Sequence, residues 1–148
     1  MESKNAQNAT VTAYRDKLCT RADDIYRLGY YFYYDRNRAK KYVDEVFSKI
    51  VLDISSSKAF SISDKNNRTI RQLYSVCWDV HVRKGSPTSP LSREMQVIFG
   101  NMSVLQHALF VFVDVVGLSS VLVQNISDID GEEFDSVLSD SRRIFIER

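Results

Sequence analysis

The side chains able to do covalent or metal chemistry are few, and their spacing argues against both. His81 and His107 are the only histidines among 148 residues, and neither has a cysteine or carboxylate at ligand spacing. They read as surface residues or satisfied core residues. Cys19 and Cys77 stand alone, which fits neither a metal motif nor a disulfide framework. The chain has no glycine-rich phosphate loop, nucleophile elbow or paired-carboxylate motif. An enzyme is not expected, and neither is a cofactor, a metal or a small-molecule substrate.

What remains is the chemistry of charge. Residues 36–84 hold eleven Lys/Arg against five Asp/Glu, a net of +6, while residues 101–148 hold three against eight, a net of −5. The densest run lies at 128–140, where Asp128, Asp130, Glu132, Glu133, Asp135 and Asp140 stand without a single Lys or Arg. A surface that grips DNA needs the opposite sign, because phosphate contacts supply most of the affinity. A basic half followed by an acidic half implies different partners, or halves that attract each other.

These charges must be positioned by helices. The composition, 44% hydrophobic and 26% charged, is that of a globular chain with enough apolar material for a core. Leu18, Ala22, Ile25 and Leu28 recur at helical spacing, as do Ala39, Val43, Val46, Phe47 and Ile50, and then Ile70, Leu73, Val76, Cys77 and Val80. The run GSPTSP at 85–90 suits neither helix nor strand and marks a boundary. Beyond it, helices are expected near 92–99, 104–113, 119–126 and 131–145, with Ser119 and Asp130 as N-caps. The Val-rich run at 110–116 also reads as a strand. The expected fold is all-α: one small helical domain over 1–84, a short linker over 85–92 that reaches at most about 25–30 Å, and a second helical domain over 93–148. No run approaches the roughly 18–20 apolar residues that span a bilayer. The polar start MESKNAQNATVT lacks a signal-peptide core, so a reducing, cytoplasmic setting is expected.

Two stretches resemble RNA polymerase sigma factors of the extracytoplasmic-function group. Residues 25–47, IYRLGYYFYYDRNRAKKYVDEVF, are similar to the family's LYRLAYRLTGDREDAEDLVQEVF, with Tyr26, Arg27, Leu28, Tyr30, Asp35, Arg36, Ala39, Val43, Glu45, Val46 and Phe47 on matching positions. In residues 102–145, the segment DVVGLS at 114–119 matches the family's DVEGLS turn. Ile126, Ile129, Leu138, Arg142 and Arg143 follow at the family's distances. Residues 73–84, LYSVCWDVHVRK, resemble an intervening family helix more loosely. Together these cover about two-thirds of the chain in the family's order.

The resemblance implies three surfaces. One is a polymerase-docking face of Val43, Asp44, Val46, Phe47 and Ile50, although Lys40 and Lys41 stand where the family is acidic. The second is a promoter-capturing surface of Lys58, Phe60, Lys65, Asn66, Asn67, Arg68, Arg71, Tyr74, Trp78, Arg83 and Lys84. That set offers cations and rings to a single strand. In both sets the apolar members also read as core. The third is a helix-turn-helix whose recognition helix, GTVKSRLHRARR in the family, here reads EEFDSVLSDSRR over 132–143. Asp135, Val137 and Asp140 replace cations and only Arg142 and Arg143 survive, so upstream promoter reading by this helix is not expected.

Positions that are polar in the family hold Val104, Leu105, Val113, Val116, Val121 and Leu122, which must either pack on the first half or bind a partner. The tyrosines Tyr30, Tyr31, Tyr33 and Tyr34 add a further mixture of core and interface character. The first functional expectation is a sigma-like regulator of transcription initiation that binds core RNA polymerase, with promoter DNA met through the first half and protein contacts made by the second. The alternatives are a sigma mimic that sequesters an anti-sigma factor, and a helical interaction module unrelated to transcription.

Overall fold

Helical periodicity becomes helix throughout the computed structural model, which describes residues 19–56, 68–83 and 86–148. α1 spans Ala22–Tyr33, α2 Arg36–Ser56, α3 Arg68–Trp78, α4 Arg93–Phe99, α5 Val104–Phe110, α6 Ser120–Ser127 and α7 Gly131–Glu147. α3 runs on into a π-helical turn at Asp79–Arg83, and α5 into another at Val111–Val115. The described residues contain no β-strand, only one isolated bridge between Pro90 and Ser103. The strand alternative at 110–116 is therefore corrected to helix ending in a π-turn. None of these helices is long and apolar enough to cross a membrane.

Local chemistry sets the ends of the elements. Tyr34 closes α1 in the left-handed region, with φ of 50°. Asp35 then accepts from the backbone N–H of Arg38 at 2.9 Å and starts α2. Ser92 caps α4. Ser103 and Gln106 form a reciprocal capping box on α5, and Ser119 accepts from the N–H of Leu122 at 3.1 Å on α6. Asp130 occupies the N-cap of α7 without a side-chain cap bond, a point where the sequence expectation holds in position only. Gly29 lets α1 and α2 cross closely: a Cβ there would lie 2.9 Å from Cδ1 of Tyr42 and 3.2 Å from the Ala39 backbone.

The core runs without a break across the boundary at residues 85–90. Ile25, Leu28 and Phe32 of α1, Val46 and Ile50 of α2, and Leu73, Cys77 and Trp78 of α3 pack in one cluster with Leu109, Phe112, Val123, Phe134 and Leu138 of the second half. Phe112 is the hinge-pin of this seam, its ring 5.7 Å from Phe32 and 5.4 Å from Trp78. Aromatic pairs of this kind add about 0.5–1.5 kcal/mol beyond their burial. The segment expected as a tether is itself pinned to the second half. Leu91 N–H donates to Met102 O at 3.2 Å, Val104 N–H to Ser89 O at 2.8 Å, and Leu105 N–H to Pro87 O at 3.0 Å.

Candidate functional site

The face of α2 expected to dock on polymerase is mostly turned inward. Val46 and Ile50 are 0% exposed and belong to the core, so neither is a docking residue. The helical spacing that made them look like a face points that face at α1 and α3. Val43 and Phe47 are half-buried against the same core, and Asp44 alone of the five is exposed.

The single-strand set is also divided. Lys58, Phe60, Lys65, Asn66, Asn67 and Lys84 lie outside the described residues. Arg68 and Arg83 are described only as helical backbone. Arg71 is exposed on α3. Tyr74 and Trp78 are corrections, being 1% and 2% exposed and unable to stack on a base. The Tyr74 hydroxyl donates to Asp24 Oδ2 at 3.2 Å, and burial, with Asp24 beside it, pushes the phenol up to about 12. Trp78 lies edge-on against Phe112. The signal against them was present in the sequence: Ile70, Tyr74, Cys77 and Trp78 fall on one helical face with Leu73.

The two halves close over the histidines. His107 is 0% exposed, and His81 stacks on Phe32 at 3.7 Å with its Nδ1 3.2 Å from the Tyr33 hydroxyl. Burial pushes His81 down to about 3 and His107 down to about 4, so both are neutral near pH 7. Beside the seam and within the first half, Tyr42 donates its hydroxyl to Cys77 O at 2.7 Å.

In the second half, Asp128, Ile129 and Asp130 join α6 to α7, with Asp128 in the left-handed region at φ of 56°. α7 buries Phe134, Leu138 and Ser141, whose hydroxyl donates to Gln106 O of α5 at 3.1 Å. Its outward side carries Glu132, Glu133, Asp135, Ser136 and Ser139. The three cations of residues 101–148 are all engaged. Arg142 makes a bidentate pair with Asp114 at 2.8 and 2.9 Å, Arg143 pairs with Asp140 at 3.2 Å, and the Arg148 guanidinium sits 3.8 Å over the Phe145 ring.

The six apolar positions of the second half do not form one bare patch. Val104, Leu105, Val113, Val116 and Leu122 are half-buried and pack partly against the core. Val121 is the exception at 79% exposed. It stands at a cleft of about 340 Å³ where α3 meets α6, lined also by Arg21, Ile70, Arg71, Ser119, Leu122 and Asn125. The structure thus brings together Arg71 from the single-strand set with Val121 and Leu122 from the partner set. Arg21 and Asn125 drew no expectation, and Ile70 and Ser119 were expected only as a helix-face residue and an N-cap, because only the crossing of α3 and α6 gathers the four. No family model, curated protein or solved structure matches this chain.

Proposed function

We propose that the protein is a sigma-like regulator of transcription initiation that works by protein contact, in the manner of a mimic that occupies an anti-sigma-type protein. One observation carries this reading. The outer side of α7 is acidic toward its N-terminus, and the two cations kept from the family pattern are held by Asp114 and Asp140. A helix that enters a major groove contacts bases through its N-terminal residues and needs cations against the flanking phosphates. Here that end repels them. The continuous core between the halves supports the same reading, since the chain is held as one packed body rather than as two separately reaching DNA modules.

The second reading, a working sigma factor, draws on the excess positive charge over residues 36–84 and on Asp44, which remains exposed on α2 beside the half-buried Val43 and Phe47. Binding assays separate the two. The mimic reading expects tight association with a helical anti-sigma protein, no co-purification with core polymerase, and no anisotropy change with promoter duplex or single strand at moderate salt. Stable co-purification with core polymerase together with promoter-strand binding would replace it with the sigma-factor reading.

A further inference from the structure

We infer that the cleft between α3 and α6 is the place where the partner docks, and that the docking segment is an acidic, amphipathic stretch presenting a leucine-sized side chain between carboxylates. The inference rests on the protein-contact reading above and adds the chemistry of the partner. Its apolar part is a floor of Ile70 and Leu122, extended outward by Val121. An isolated exposed valine is unremarkable, but one at the mouth of a cleft with an apolar floor enlarges the area a buried anchor can cover.

Its polar part is cationic. Arg21, just before α1, and Arg71 of α3 bring two guanidiniums to one opening from two different elements, and no carboxylate is among the described residues lining it. Arg21 stands 3.8 Å from Asp24, a long contact that leaves most of its five donors able to meet an incoming carboxylate. A volume of about 340 Å³ is at the low end of ligand sites and suits one or two side chains of a protein segment. A nucleic-acid strand would use the same guanidiniums, but single-strand surfaces stack bases on aromatic rings, and none is among the described residues lining this cleft.

The test uses the full chain, isotope-labelled for NMR. It is titrated with a short helical peptide carrying Glu and Leu at i, i+3 and i+4 spacing, with the same peptide bearing Lys for Glu, and with oligo-deoxythymidine. The acidic peptide is expected to shift the amides of Ile70, Val121 and Leu122. Arg21→Glu with Arg71→Glu should weaken it about tenfold at low salt and give the Lys peptide a matching gain, the sign reversal expected of complementary charge. Val121→Asp should weaken the acidic peptide without changing the helical circular dichroism. No shift at the cleft, indifference to the charge swap, or shifts produced there by oligo-deoxythymidine in place of the peptide would each overturn the proposal. A chain that passes this test yet ignores anti-sigma-type proteins would remove the mimic reading and leave the cleft's chemistry standing.

Discussion

Phe112 is the residue on which the two halves depend most directly, since its ring touches Phe32 on one side and Trp78 on the other. Phe112→Ala removes both contacts and opens a cavity at the seam, with an expected loss of about 3–5 kcal/mol in urea unfolding. Tyr42→Phe is a gentler probe of the same region. It leaves the buried Cys77 carbonyl without its hydroxyl donor, at an expected cost of about 1–2 kcal/mol by the same measurement. Residue types alone were a poor guide here. Tyr74 and Trp78, set among arginines and lysines, look like a base-stacking pair, and only the helical face they share with Leu73 and Cys77 reveals them as core. Asp44 and Arg71 were legible as exposed because a charged side chain is costly to bury.

Elements were more legible than residues. The spacing of apolar positions locates α4 and α6, and Ser119 marks the start of the second, because a cap and an amphipathic stripe are local properties. The π-helical turns were not legible. At Val111–Val115 the N–H of Val116 bonds to Val111 O at 2.9 Å, which adds a residue to the turn and lets Val111 and Phe112 both face inward. No sequence periodicity announces such an insertion. Two predictions belong at this scale. Ser103→Ala breaks the capping box of α5 and should cost about 1 kcal/mol in thermal or urea unfolding. Asp135→Lys with Asp140→Arg reverses the sign of the outer side of α7. It should also release Arg143, giving a salt-dependent gain in duplex affinity measured by anisotropy.

Across the whole molecule, the charge asymmetry between the halves was visible in composition, while their union in one core was not. Long-range packing depends on which faces meet, and Phe32, Trp78 and Phe112 carry no mark in the sequence of being neighbours. The seam has a pH signature. His81 and His107 bind protons near pH 6.5 when unfolded but only near 3 and 4 in the fold, so the unfolded chain takes up more protons between. Their contribution is intact above about pH 6.5 and is lost as the pH falls from there toward 4, at a slope of order 2 kcal/mol per pH unit. Urea midpoints at pH 7, 6 and 5 should show this fall, and His107→Leu should flatten it. A flat profile in the unmodified chain would contradict the burial of both rings.

The bonds that fasten Pro87, Ser89 and Leu91 to the start of α5 also limit how this molecule can open. Slack that the run from Pro87 to Leu91 would otherwise lend is already taken up in stitching it to its own half. In any parting of the halves, the run from Pro87 to Leu91 then moves with its own half as one stiff paddle, the aromatic seam peeling along its edge.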